Sequence, residues 1–395
     1  MKILMVHDIS HMYGGGESYI INIRKKLEEE GHKVRVAAAK TGDDQQQIAD
    51  YFLKSYEGRI SSRLSRIINL KAYFQMKKIT KEFKPDIIHI HSLFYRLSPF
   101  ILGALKKYPI VVTVHNYVWF CGNGVKYYQD NFEICNQKFG SNCYKRKCLK
   151  KNEYFLQKIL RFFNKIYFKN INYFITCSSY GYKLVKQNSF NNVKMLLHGI
   201  DVKDNSFQKL SNEKNFLFIG RLEKEKGVDY LIRAFAYFKN EKGIKLFIAG
   251  DGPEKNNLIN LSRNLKVKNV FFLGKISREE IKKYYSESIA TVVPSIWPEN
   301  SPIVIYESLS YGRPVIGTVV GGIPDLVKNK KNGLLIKRKD AEAIFNAMNY
   351  LINNKNIRES LSINARKFAE DKINIDIHIK KLVNIYYESI NSNSE

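Results

Sequence analysis

The sequence predicts an α/β protein made of two Rossmann-like, doubly wound parallel sheets, and three observations predict it. Short apolar runs alternate with amphipathic helical stretches along the whole chain, the pattern of buried strands joined by crossover helices. The alternation stops at a polar stretch without apolar periodicity, residues 202–214, and then restarts. A length of 395 residues is long for one compact domain and comfortable for two.

In the first half the apolar runs predict strands at 2–8, 33–39, 86–92, 110–116, 173–178 and 193–198. In the second half they predict strands at 215–221, 245–250, 269–273, 290–294, 314–318 and 333–336. Helical stretches lie between them; the one at 17–30 ends at Gly31, where glycine suits the left-handed residue after a helix. The expected organisation is a first domain at 1–201 with an excursion at 117–150, and a second domain at 202–372. A final helical segment, 373–395, is expected to cross back to the first domain, with its last five residues frayed. Two such domains facing a central cleft bind ligands at the carboxyl ends of their strands.

An apolar fraction of 44% suffices for ordinary cores and excludes disorder. No apolar run approaches the roughly 20 residues of a membrane-spanning helix. The run Ile3 to Val6 meets His7 and Asp8 at once, too soon for a signal-peptide core. A cytoplasmic protein, peripheral on the membrane face at most, is the expectation. The formal net charge of +28 draws in polyanions: nucleic acid, an anionic membrane surface or phosphorylated substrates. A Lys- and Asn-rich bias of the source would give the same number.

Placement of the charge is more informative. From Lys145 to Lys169 nine basic residues stand against one acidic, interleaved with Tyr154, Phe155, Ile159, Phe162, Phe163, Ile166, Tyr167 and Phe168. Such a helix suits an anionic membrane interface, unless its apolar face packs on its own domain. The stretch 59–84 adds Arg63, Arg66, Lys71, Lys77 and Lys78 to the same half. No recognised nucleic-acid module accompanies these residues, so nucleic acid is not the expected partner.

Two constellations in the second half suit an anionic ligand. Gly220, Arg221, Leu222, Lys226 and Gly227 follow a strand and open a helix; a guanidinium and an ammonium there match a pyrophosphate. Glu299 and Glu307 flank the start of a later helix, whose N-terminal N–H groups face an anion. Gly312, Pro314, Val315 and Ile316 close that helix.

These three motifs, in this order and spacing, resemble the family 4 retaining glycosyltransferases of the GT-B fold, over almost the whole chain. The family carries Gly-Arg-Leu-x-x-x-Lys-Gly, Glu-x7-Glu and Gly-x-Pro-Val-Ile. The resemblance implies transfer of a hexose-type sugar from a UDP- or GDP-sugar to a glycan or lipid-linked acceptor in cell-surface polysaccharide or glycolipid synthesis. It makes Arg221 and Lys226 the holders of the donor diphosphate, Glu307 the ribose ligand and Glu299 the ligand of the transferred sugar. It sets Gly220 in the donor loop, and Ile276, beside Lys275, at the base. Where many members have Glu-Pro-Phe-Gly, this chain has Glu299, Asn300, Ser301 and Pro302. Proline has no N–H, so Ser301, Ile303 and Val304 are left to supply backbone contacts. The rivals are a basic binding protein without catalysis and a GT-B sugar-nucleotide epimerase.

On the acceptor side, Gly14, Gly15 and Gly16 follow the first strand; Tyr19 excludes the dinucleotide fingerprint. Either they form a tight turn, or, as the resemblance implies, Gly15 and Gly16 approach the donor phosphate. His115 ends an apolar run, and the resemblance places a histidine there beside the donor sugar, although Asn116 stands where many members have Asp. His91 is a second, weaker candidate at its own strand end. No carboxylate nucleophile and no Asp-x-Asp metal motif stand out, so metal-independent catalysis without a cofactor is expected. Cys121, Cys135, Cys143 and Cys148 fall within 28 positions; they read as one structural zinc site or as free thiols, since disulfides do not suit a reducing cytosol.

Overall fold

A computed structural model of the chain describes residues 1–392 apart from 13, 42–46, 55–67, 95, 204–206, 208–209 and 211–212. Arg63 and Arg66, most of the polar stretch 202–214 and the frayed end 393–395 therefore lie outside the described residues. The chain divides into two units. The first holds Met1–Asn131, Cys135–Gly199 and His378–Glu395; the second holds Phe132–Ile134 and Ile200–Ile377.

The first unit carries a seven-stranded sheet: β1 (Lys2–His7), β2 (Lys33–Ala39), β3 (Tyr51–Leu53), β4 (Ile87–Ile90), β5 (Ile110–Val114), β6 (Tyr173–Thr176) and β7 (Val193–Met195). Their order is β3-β2-β1-β4-β5-β6-β7, and every pair is parallel. The second unit carries six: β8 (Lys214–Ile219), β9 (Ile244–Ala249), β10 (Val270–Gly274), β11 (Ser288–Val293), β12 (Val315–Thr318) and β13 (Gly333–Ile336). They run β10-β9-β8-β11-β12-β13, again all parallel.

Continuous apolar strands force this arrangement. Ile3, Leu4, Met5 and Val6 in β1, and Ile110 to Val112 in β5, are fully buried, so both sheet faces need helices over them. Each such aliphatic side chain contributes about 1.5–3 kcal/mol by leaving water. The second core gathers Phe216, Ile248, Ile289 and Ile316 from the strands with Leu231, Phe235, Met348 and Leu351 from helices.

All twelve expected strands form. The thirteenth, β3, escaped the sequence reading because three residues, with Phe52 exposed, leave no apolar run to see. Both sheets reverse their winding beside their first strand, so the switch points lie at the carboxyl ends of β1 and β4 in one unit and of β8 and β11 in the other. Ligands of open α/β sheets bind at such points.

Candidate active site

In the second unit the chain leaves β8 at Gly220 and turns through the short helix Lys224–Lys226 into Gly227. Gly227 adopts φ 67°, and a Cβ there would collide with the carbonyl oxygen of Pro294. Only glycine lets this loop lie against the loop after β11. Ile296 N–H donates to the Glu225 carbonyl at 2.9 Å and fixes the same contact.

That contact sets Lys226 Nζ 2.7 Å from Glu299 Oε1. Ser295 Oγ donates to the same carboxylate oxygen at 2.7 Å, and the ammonium lies 5.4 Å from the Trp297 ring centre. The Glu299 side chain is 7% exposed and that of Lys226 18%, so the ion pair is sheltered while its cation still reaches solvent. The Glu299 carbonyl accepts from Gly322 N–H at 2.7 Å, which ties the loops after β11 and β12 together.

Arg221 takes a different partner. Its guanidinium bonds Glu223 at 2.8 Å with the side chain 62% exposed. Glu307 sits in the helix Ile303–Ser310 and accepts from Tyr285 O–H at 2.9 Å. Burial, and then the Glu307 charge, drives the Tyr285 hydroxyl well above its ordinary pKa, so it stays a donor. Pro302 is the N-cap and offers no side-chain bond; the N–H groups of the first turn, at Ile303 and Val304, are those a helix leaves to an outside acceptor. Ser301 Oγ and Tyr306 O–H share a bond of 2.7 Å. Ile276, half-buried, follows β10 on this edge of the sheet.

Glu225 is a residue that the sequence reading missed. Burial, reinforced by its bond with Glu223, pushes its carboxyl up to about 7. Nothing in the local sequence distinguishes it from Glu223.

In the first unit, six of the eight histidines of the chain gather around Tyr19. His91 Nδ1 and His115 Nε2 share a hydrogen bond of 3.0 Å, which brings the two sequence candidates together. The His198 ring stacks 5.4 Å from His115 and 4.3 Å from Tyr19, and its Nδ1 lies 3.6 Å from Cys177 Sγ. Tyr19 O–H bonds His378 Nε2 at 2.8 Å. His7 Nε2 bonds Glu17 Oε1 at 2.7 Å, and Gly14 N–H donates to Glu17 Oε2 at 2.9 Å. Glu17 thus caps the helix Gly15–Glu29 and orients His7 together.

Burial, then repulsion from His7, lowers His115 to about 3; burial lowers His378 to about 4. His89, His91 and His198 also lie well below the usual histidine value, with burial as the leading cause. These five rings are neutral at pH 7, and His115 offers a hydrogen bond rather than a positive charge. Gly15 and Gly16 open the helix in front of it; a Cβ on Gly16 would meet nothing within 4 Å, so the space before this helix N-terminus is open.

Among the described residues, His115, Cys177 and His198 bring three ligating atoms within 4.8 Å of one another. His198 is already committed to Cys177 and His115 to His91, so the trio reads as part of a hydrogen-bonded network. His7, His198, His378, Tyr19 and Cys177 were missed from sequence; the available signal was that His7, Cys177 and His198 each end or follow an apolar run.

Two doubly wound units, with a cation–carboxylate pair at the switch point of the second, have the architecture of a GT-B glycosyltransferase. The family comparisons make the assignment specific: glycosyl transferases group 1 match residues 199–368 and glycosyltransferase family 4 matches residues 13–204. The chain belongs to the family 4 glycosyltransferases.

An uncharacterized glycosyltransferase of Methanocaldococcus jannaschii is 34% identical over 44% of this chain and 45% of its own length, less than half of that relative. The UDP-Gal:alpha-D-GlcNAc-diphosphoundecaprenol alpha-1,3-galactosyltransferase of Escherichia coli is 27% identical over 83% of this chain and 81% of its own. Among solved structures, sucrose-phosphate synthase from Thermosynechococcus elongatus superposes with a TM-score of 0.75 at 18% identity, covering 99% of both chains. Anabaena HepE in complex with UDP and glucose superposes with 0.71 at 17%, covering 98% of this chain and 100% of its own. At these identities the structural likeness speaks for the fold.

Proposed function

We propose that the chain is a retaining, metal-independent glycosyltransferase that moves a hexose-type sugar from a UDP-sugar to a lipid-linked glycan at an anionic membrane surface. The observation that carries the proposal is the sheltered Lys226–Glu299 pair at the β8/β11 switch point. In this reading Lys226 and Arg221 neutralise the donor diphosphate as the sugar departs. Glu299 holds Lys226 in place and accepts from hydroxyls of the transferred sugar. Glu307, steadied by Tyr285, receives the ribose hydroxyls, and the N–H groups of Ile303 and Val304 meet the phosphates. Ser301 serves the same cradle, and Ile276 contacts the base. Two cations and a helix N-terminus supply the charge stabilisation that a metal provides elsewhere.

In the first unit, His115 donates to or accepts from the transferred sugar as a neutral imidazole, with His91 orienting it. Gly15 and Gly16 admit the donor phosphate. The leaving phosphate takes the acceptor proton, so the new bond forms on the face that the old one left.

The helix Lys151–Phe168 supports the membrane half of the proposal. Leu160, Asn164 and Phe168 are its buried residues, while Phe155, Ile159, Phe162, Phe163 and Ile166 are exposed, Phe162 to 69%. Most of its apolar surface therefore faces outward, among Lys151, Lys158, Lys165 and Lys169, the composition of an interfacial helix. Beside it lies a groove of about 420 Å³ whose lining includes Phe94, Trp119, Phe162, Phe168, Lys158 and Lys165. Apolar walls with a cationic rim suit the chain and the diphosphate of a lipid-linked acceptor. No helix among the described residues is long and apolar enough to cross a membrane.

The test is a panel of UDP-, GDP- and ADP-sugars, with and without EDTA, with the product anomer read by NMR. Transfer from a UDP-sugar with retention and without added metal is expected. An inverted product or an absolute need for a divalent cation would reject the corresponding part.

A further inference from the structure

Between the strand that positions His115 and the helix Lys151–Phe168 lies a segment with little regular structure. From residue 120 to residue 141 it forms neither helix nor strand. Its four cysteines nevertheless converge. Cys121, Cys135, Cys143 and Cys148 all line one cavity of about 20 Å³, room for a single ion or water. All four are free and half-buried.

We infer that Cys121, Cys135, Cys143 and Cys148 form a structural zinc site. Four thiolates around a single-ion cavity make a closed tetrahedral set, and all-sulfur donors select zinc over the harder divalent cations. A cavity of this size has no room for the bridging sulfides of an iron–sulfur cluster. The short helix Asn142–Lys145 presents Cys143, and a left-handed Lys147, φ 53°, turns the chain so that Cys148 faces the same space.

Charge balance points the same way. Zinc with four thiolates carries two net negative charges. Arg161, from the helix Lys151–Phe168, supplies a cation: its guanidinium is an electrostatic neighbour of Cys121 and Cys143, stacks 4.6 Å from the centre of the Phe139 ring and donates to the Trp119 carbonyl at 3.2 Å. Its Nε is buried without a hydrogen-bond partner and can turn to a ligating sulfur.

The sulfurs stand more loosely than ligands do, since no three of them share the 4.8 Å spacing of the His115 trio. Zinc–sulfur bonds of about 2.3 Å would draw them in, and the irregular segment permits it. Binding then couples to local folding and fixes the start of the helix Lys151–Phe168.

The test uses the full chain and reads metal rather than transfer, so it stands whether or not the donor assignment does. Chain purified without added metal is analysed by inductively coupled plasma mass spectrometry, and cobalt is then exchanged in. One zinc per chain is expected, with thiolate-to-cobalt charge-transfer and tetrahedral d–d absorption. Cys143→Ser and Cys148→Ser are expected to lose the metal and Cys177→Ser to keep it. Should the serine variants fail to fold, hydrogen exchange of the wild-type chain before and after chelation decides: faster exchange confined to about residues 121–160 supports the site. Four thiols that react freely in a native chain lacking stoichiometric zinc, a disulfide among them, or iron in place of zinc would each overturn it.

Discussion

Lys226 Nζ and Glu299 Oε1 lie 2.7 Å apart although 73 positions separate them in the chain, and the glycine turn at 227 makes the approach possible. In the proposed site a donor diphosphate would meet a cation that is already oriented. Lys226→Ala is expected to lower kcat about 10²–10³-fold, the usual cost of removing one stabiliser of developing charge. Arg221→Ala should cost less, because Arg221 is exposed and already engaged with Glu223. Glu299→Gln removes the carboxylate that holds Lys226 and should also fall steeply in kcat. Circular dichroism must show the variants folded; wild-type rates in both Lys226→Ala and Glu299→Gln would reject the site.

Glu307 depends on Tyr285. Tyr285→Phe deletes the hydroxyl that donates to the Glu307 carboxylate. If Glu307 receives the ribose as proposed, the expected outcome is a several-fold rise in donor KM with kcat changed less, since a loosened carboxylate would weaken ground and transition state alike. Glu307→Gln should raise the donor KM further. Steady-state kinetics at saturating acceptor separate the two parameters.

The strands and the glycine turn beside Lys226 were legible in the sequence for physical reasons. Ile3 to Val6 and Ile110 to Val114 read as strands because buried parallel strands are continuously apolar, and Gly227 stood out because a left-handed turn demands glycine. The clustering of the histidines was not legible: His7, His115 and His198 meet because parallel pairing aligns strand ends that are far apart in sequence, and the helix Ile375–Asn391 brings His378 to them. The outward apolar face of the helix Lys151–Phe168 was equally hidden, since periodicity shows that a helix has an apolar side and says nothing about what covers it. Glu225 owes its raised pKa to burial, which no local pattern reports.

That raised pKa gives a stability prediction. The carboxyl titrates at about 7 in the folded chain against an ordinary 4.5, so the folded state binds its proton more tightly than the unfolded state. The contribution is fully present below pH about 4.5 and is lost as pH rises through 7. Glu225→Gln should therefore flatten the fall in Tm between pH 4.5 and 7. Thermal melts across that window check it, and an unchanged slope would remove Glu225 as the source.

The histidines predict the opposite slope at lower pH. His115 near 3 and His378 near 4 bind protons less readily folded than unfolded, where the ordinary value is 6.5. Their contribution is present above pH 6.5 and is lost as pH falls toward 4. Tm should drop over that window, and His378→Gln should reduce the drop. Activity should show no inflection from His115 near 6.5, because its imidazole is already neutral there; a His115-dependent inflection at that pH would mean that the ring titrates and would reject the neutral role.

The helix Lys151–Phe168, proposed to meet a membrane, supplies the last test. Phe162 is 69% exposed and Phe155 52%, so replacing both by serine removes little folding energy while deleting about a third to a half of the apolar surface offered to a bilayer. Interfacial binding scales with that surface plus attraction to anionic lipid. The double variant should keep the wild-type Tm within a few degrees yet float poorly with anionic liposomes, and its kcat/KM should fall only for an acceptor carried in vesicles, not for a water-soluble acceptor fragment. Raising salt should weaken flotation of the wild type by screening Lys151, Lys158, Lys165 and Lys169. Flotation indifferent both to salt and to the two phenylalanines would show that this face meets something other than an anionic membrane.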